Sequence, residues 1–265
     1  MIPLRDYRRS RTFPVVTVAL VIVNLLVFSF QLTRSDRVAV VIDLRPWEDA
    51  GVSFLDGALD HRSMGAVTQR DAFILAYGLV PGEFLRGVDL PPLIPIPIWL
   101  TLLSMMFLHG GLLHVLGNLL YLWIFGDNVE DAMGHVRFLV FYLVCGALAA
   151  FAQIAIGPSS GTPLIGASGA IAGVLAAYLM LFPHSRVLTL IPIFFFLRLT
   201  AIPAVVLLGL WFLFQVLSGV SSIGVATGVA WFAHIGGFVA GAFLVFLFRR
   251  RGVPVVLWQM IRHRR

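Results

Sequence analysis

The sequence predicts an all-α, polytopic membrane protein with six transmembrane helices, and three observations predict it. Mean hydropathy is +0.95. Hydrophobic residues make up 59% of the 265 and charged residues only 12%, about half the charge of an ordinary soluble domain. Apolar stretches of spanning length recur at about 13–32, 103–125, 138–156, 168–182, 202–217 and 228–248.

The arginines set the orientation. Arg5, Arg8, Arg9 and Arg11 precede the first stretch, and Arg249, Arg250, Arg251, Arg262, Arg264 and Arg265 follow the last. An even number of spans with basic residues at both ends places both termini in the cytoplasm, where such clusters attract anionic lipid headgroups. The net charge of +6 and pI near 10.4 therefore indicate a membrane, not nucleic acid, which would need a folded soluble domain to carry a basic patch. The organisation expected is a cytoplasmic segment at 1–12, a six-span domain at 13–248 and a basic cytoplasmic tail at 249–265.

The first stretch follows an arginine-rich start. It is longer than a secretion-signal core and lacks a small-residue cleavage site before Thr33-Arg34, so it is a retained span. The connection after it, about 34–98, holds nine of the thirteen acidic residues and should lie outside. It ends in a proline-rich run, Pro91 to Trp99, unsuited to regular helix and suited to an extended or re-entrant approach to the membrane, with Trp99 as an interfacial anchor. Gly157-Pro158-Ser159-Ser160-Gly161-Thr162-Pro163 is a turn by composition. The apolar segment 188–197, interrupted by Pro192 and followed by Pro203, makes the start of the fifth span the least defined boundary. Cys145 is the only cysteine, which excludes an intrachain disulfide and a cysteine metal cage.

Polar residues at membrane depth are costly and usually functional. On the expected topology the second, fourth and sixth spans all run inward from the outer face, and their first halves carry His109, His114 and Asn118, then Ser168, then His234. These residues share the outer half of the bilayer and can converge on one hydrated pocket.

Ser168 lies in Gly166-Ala167-Ser168-Gly169 at a helix start, where free N–H groups and the helix dipole favour a developing oxyanion. By itself the same run also reads as a packing face, since Gly169 and Gly173 form a Gly-x-x-x-Gly pair. His234 is followed by Gly237 and Gly241, which let another helix come close; a hydrogen bond to a backbone carbonyl is its alternative role. His114 and Asn118, four residues apart, share a face and can either stabilise an oxyanion or clip two helices together. His109 is placed to organise the adjoining loop. No His-Glu-x-x-His is present, and the apolar interiors carry no Asp or Glu. Zinc and two-aspartate proteolysis are thereby excluded, and His234 has no third carboxylate.

Taken together these motifs resemble the rhomboid intramembrane serine proteases. The similarity runs from about Trp99 to Phe248: His114-x-x-x-Asn118 resembles the family's second-span signature, Gly166 to Gly169 its Gly-x-Ser-Gly, and Ala233-His234-x-x-Gly237-x-x-x-Gly241 its sixth-span motif. The resemblance implies a six-helix rhomboid-like bundle, with Ser168 as nucleophile and His234 as base. It implies His114, Asn118 and the Ser168 N–H as the oxyanion hole, and no cofactor or metal. Phe125 to Glu130 resembles the motif closing the second span, where the glutamate is structural. The resemblance also implies lateral substrate entry beside the fifth span, where Trp211, Phe212 and Phe214 could form a bulky gate. Two positions depart from the family pattern: Ala172 stands where a ring often packs against the base, and Trp99 is followed by Leu100 instead of Arg.

The expected activity is endopeptidase cleavage of other membrane proteins within a transmembrane helix, in a bacterial cytoplasmic membrane. The alternative is a non-catalytic membrane protein that binds or escorts client membrane proteins. A third possibility, a transporter using His114 and His234 as a proton relay, lacks the intramembrane carboxylates and repeated halves usual in such proteins.

Overall fold

A computed structural model describes residues 1–43, 47, 49, 51–52, 64–89, 94–193, 196–223 and 228–262. The long helices are α1 (Val15–Leu32), α5 (Leu112–Met133), α6 (His135–Ile156), α8 (Ala204–Ser221) and α9 (Trp231–Phe248); the shorter ones are α2 (Gln69–Tyr77), α3 (Pro81–Arg86), α4 (Thr101–Ser104), α7 (Ser168–Leu181) and α10 (Val256–Arg262). Five strands, β1 (Ile2–Asp6), β2 (Val38–Asp43), β3 (Met64–Thr68), β4 (Arg186–Ile193) and β5 (Phe196–Pro203), form a sheet of order β1-β4-β5 and a β2-β3 pair.

The chain is a multi-pass membrane protein. Among the described residues five helices, α1, α5, α6, α8 and α9, are long and apolar enough to cross a bilayer. Their outward faces carry large exposed apolar side chains, among them Leu26 on α1, Phe214 on α8, and Phe243 and Leu247 on α9. The fourth expected span is α7, with only 14 residues. At ~1.5 Å per residue it reaches about 21 Å, short of a ~30 Å hydrocarbon core. It can be short because it touches little lipid: twelve of its fourteen residues are buried among the other helices.

The departures from the sequence reading that bear on the fold lie in the second and fifth spans. The second span begins at Leu112, because the chain from Ile98 to Phe107 forms short helical turns and then extends through Leu108 and Gly111 before the helix starts. It continues to Met133 through Asp127, Glu130 and Asp131, because Glu130 is satisfied inside the bundle. Its carboxylate accepts the backbone N–H groups of Val16 and Thr17 and the Thr17 hydroxyl at 2.7–2.9 Å. Glu130 thus caps α1, whose own N-cap residue, Pro14, offers no side-chain bond.

The strands β4 and β5 pair antiparallel, so the fifth span starts at Ala204 and not at 202. The pair adds β1 to its other edge, and the N-terminal residues are thereby part of the fold. Asp6 at the end of β1 accepts hydrogen bonds from Tyr178 (2.6 Å) and Asn128 (3.0 Å), tying the sheet to α7 and α5. The proline-rich run before Trp99 lies partly outside the described residues. Trp99 itself is 61% exposed, as an interfacial side chain requires.

Glycines bring α7, α9 and α6 together. A Cβ at Gly237 would fall 2.0 Å from the Gly169 carbonyl oxygen, one at Gly241 2.2 Å from the Gly173 carbonyl oxygen, and one at Gly236 2.2 Å from the Ala152 Cβ. The two Gly-x-x-x-Gly pairs therefore face each other across one backbone-to-backbone contact. This contact sets His234, one turn before Gly237, beside Ser168, just before Gly169.

Candidate active site

Ser168 is the first residue of α7, and no side chain caps the helix at Ala167. The approach to it is fixed by Gly166, whose N–H bonds the Met105 carbonyl at 2.8 Å. Gly166 has φ +116°, and a Cβ there would meet His114 Nε2 at 2.8 Å. Only glycine fits this position, both for its backbone angle and for its neighbour.

His234 Nε2 lies 2.8 Å from Ser168 Oγ. Its other ring nitrogen, Nδ1, lies 2.7 Å from Gln215 Oε1 on α8. An amide oxygen can only accept, so Nδ1 carries the proton and the Nε2 lone pair is left for the serine hydroxyl. That is the tautomer a general base needs. Trp211 lies beside the imidazole at 6.2 Å between centroids and Trp231 stands edge-on to it. Gln215 and Trp211 thus supply from α8 the support that Ala172 does not give from α7. Neither was singled out from the sequence as a support for His234. A signal for Gln215 existed in its being a long polar side chain in an apolar helix.

The start of α9 is held separately. Gln153 Oε1 on α6 accepts the N–H groups of Phe232 (3.1 Å) and Ala233 (3.2 Å), so a side chain from another helix satisfies two of the free donors preceding His234.

His114 and Asn118 lie on α5 and face the same place. Measured from a Cβ built at Gly166, His114 Nε2 is 2.8 Å and Asn118 Nδ2 3.7 Å away. Gly110 N–H donates to His114 Nδ1 at 3.3 Å, which leaves the ring proton on Nε2, directed at that space. Asn118 Nδ2 is buried and has no partner among the described residues. Two donors are therefore poised at one point without an acceptor.

His109 organises the loop that precedes α5. Gln31 of α1 clamps its backbone on both sides, accepting from the His109 N–H (3.0 Å) and donating to its carbonyl (3.2 Å). Its ring stands edge-on to His114 at 5.1 Å.

Ser168, His234, Gln215, His114, Asn118 and Trp211 all line one cavity of about 760 Å³. Loop residues such as Gly157, Ser160 and Val229 form its upper part. The shortness of α7 makes room for this cavity above Ser168. Of the three gate residues, Trp211 faces the cavity, Phe212 stacks on Phe238 at 4.2 Å between centroids, and Phe214 is exposed and meets Trp231 at its edge.

The family model described as Rhomboid domain matches residues 97–251. The rhomboid protease GluP of Bacillus subtilis (strain 168) is 35% identical over 147 residues, 55% of this chain and 25% of GluP. The mitochondrial presenilin-associated rhomboid-like protein of Mus musculus is 28% identical over 167 residues, 59% of this chain and 41% of that protein. RHOMBOID-like protein 5 of Arabidopsis thaliana is 31% identical over 146 residues, 55% of this chain and 43% of the relative. The chain therefore spans less than half the length of each of these relatives.

Proposed function

The chain belongs to the rhomboid family, and from that membership we propose that it is an intramembrane serine endopeptidase acting through a Ser168–His234 dyad. The observation that carries the reading is the 2.8 Å contact between Ser168 Oγ and His234 Nε2 inside a cavity set within a membrane bundle. Among the relatives, GluP is named a rhomboid protease.

In this reading Ser168 Oγ attacks the scissile carbonyl carbon as its proton passes to His234 Nε2. The negative oxygen that forms is met by the Ser168 N–H, His114 Nε2–H and Asn118 Nδ2–H. As the intermediate collapses, the C–N bond breaks and His234 returns the proton to the departing amine. Water from the cavity then attacks the acyl-serine ester, again giving a proton to His234. Collapse of this second intermediate releases a carboxylate end and restores the serine hydroxyl. His234 Nδ1–H stays bonded to Gln215 throughout, so the ring neither flips nor changes tautomer.

The substrates are membrane proteins with a transmembrane helix, cut where helix-breaking or small residues near its outer end free a carbonyl from its hydrogen bond. They enter beside α8, past Phe214. The protease domain is 13–248, with the 34–98 connection outside. Residues 1–12 and 249–265 lie on the cytoplasmic side of a cell membrane, a bacterial cytoplasmic membrane in keeping with the Bacillus relative.

The test is cleavage of a single-span reporter protein in co-reconstituted vesicles. Wild type should release the fragment, and Ser168→Ala and His234→Ala should not. Binding of the reporter with no cleavage by wild type would favour a client-binding role instead.

A further inference from the structure

We propose that the β1-β4-β5 sheet is a membrane-seated element, whose outward face lies in the interfacial region of the bilayer leaflet at the end of the bundle opposite the cavity and favours anionic phospholipid. This holds whatever the catalytic activity of the chain.

The register of the sheet sorts its side chains. Val187 and Thr189 of β4 are fully buried against the bundle, together with Pro3 of β1. Residues opposite each other on neighbouring strands share a face. The outward face therefore follows from the pairs Leu190↔Leu199, Leu190↔Ile2 and Pro192↔Leu197. Ile2 is 47% exposed, Leu197 70% and Leu199 57%. An antiparallel sheet with one face in water normally alternates apolar inward with polar outward. Here the outward set is mostly apolar as well, with Ile2, Leu188, Leu190, Pro192, Leu197, Leu199 and Ala201, which in water would be an aggregation hazard on an open edge.

Two features select lipid as the cover. The first is continuity: β5 ends at Pro203 and α8 begins at the next residue, so the exposed face runs directly into the lipid-facing side chains Val205, Val206, Leu210 and Leu213. The second is charge. Arg5, paired with Leu188, and Arg186, paired with Pro203, stand on the same outward face, and both are exposed. Neither meets an acidic side chain among the described residues. The acid of β1, Asp6, is turned inward to Tyr178 and Asn128. An apolar face rimmed by unpaired arginines is the pattern of an element that lies in an anionic membrane surface. A second copy of the chain would bring the same arginines together.

The test is site-directed spin labelling of the full chain in nanodiscs, made with phosphatidylcholine alone or with added phosphatidylglycerol. Single cysteines are introduced by Leu197→Cys and Leu199→Cys, with Leu213→Cys as the lipid reference and Asp36→Cys as the aqueous reference. All four positions are exposed, so a label is accommodated without repacking, Asp36→Cys giving up only a surface ion pair with Arg70, and the native Cys145 is buried away from label. Labels at 197 and 199 should collide with oxygen several-fold more than with a water-soluble nickel chelate, as at 213, and sit deeper with phosphatidylglycerol present. Three outcomes would overturn the proposal: the aqueous pattern of position 36 in both bilayers, depth unaffected by the anionic lipid, or shielding from both reagents with dipolar coupling between copies.

Discussion

Gln215 Oε1 and His234 Nδ1 are joined at 2.7 Å across the α8–α9 interface, and this bond fixes the imidazole for its contact with Ser168. The usual third member of such a system is a carboxylate that also stabilises the imidazolium. A neutral amide orients the ring and holds its tautomer without adding a charge to a low-dielectric site. Removing it leaves the Nδ1–H unsatisfied, at a cost of ~1–3 kcal/mol. Gln215→Leu should therefore lower kcat/KM about 10- to 100-fold. Gln215→Glu, which keeps an acceptor, should recover part of the loss and alter the pH–rate profile, an effect that a purely structural side chain would not produce.

The two donors of α5 should affect turnover and leave affinity largely untouched. Asn118 Nδ2 has no partner among the described residues in the resting state, and on the proposed mechanism it would bond to substrate as charge develops on oxygen. Asn118→Ala should reduce kcat by about 10²–10³ with little change in KM. Steady-state cleavage of the reporter separates the two parameters, and a loss confined to KM would move Asn118 to a binding role.

The glycine contact between α7 and α9 should be intolerant of a single methyl group. Gly237→Ala places a Cβ 2.0 Å from the Gly169 carbonyl oxygen. Parting the helices should cost ~1–3 kcal/mol or more and draw His234 away from Ser168. Gly209→Ala on α8, where nothing lies within 4 Å, should be neutral or stabilise by up to ~1 kcal/mol. Thermal unfolding in detergent, read with reporter cleavage, tests both.

Glu130 should be a stability residue far from the chemistry. It is fully buried and receives two backbone N–H bonds and a hydroxyl from α1. Glu130→Ala leaves those donors without an acceptor and should destabilise by about 2–4 kcal/mol. The protein that does fold should retain near-normal kcat.

The sheet should carry a pH signature. Burial pushes the Asp6 carboxyl up to about 6 from 3.8, outweighing the opposing hydrogen bond from Tyr178. The folded protein then holds this proton more tightly than the unfolded chain, so its contribution to stability is complete below pH ~4 and is lost as pH rises through about 6. Stability of the wild type should fall across that window, and Asp6→Asn should flatten the slope.

The fold was legible in the sequence where hydrophobic length carries it. All six apolar stretches correspond to helices, with α6 and α9 displaced by only three residues at their starts. The start of the second span was misplaced because hydropathy continues through 103–107 while Gly110 and Gly111 break the chain. The β4–β5 pair was not legible, since its strands are largely apolar with no clean polar alternation and its third partner is residues 2–6, a pairing that no local pattern encodes. Ser168 and His234 stood out as polar groups beside small residues in apolar surroundings. Gln215 stands out only as a polar side chain in an apolar helix, and its partner becomes visible only when α8 is laid against α9.

The most direct measurement is peptide mapping of the protein in vesicles after treatment with a fluorophosphonate. The account predicts a single adduct, on Ser168, formed by wild type and absent from His234→Ala. An adduct on another residue, or equal labelling of Ser168 without His234, would contradict it.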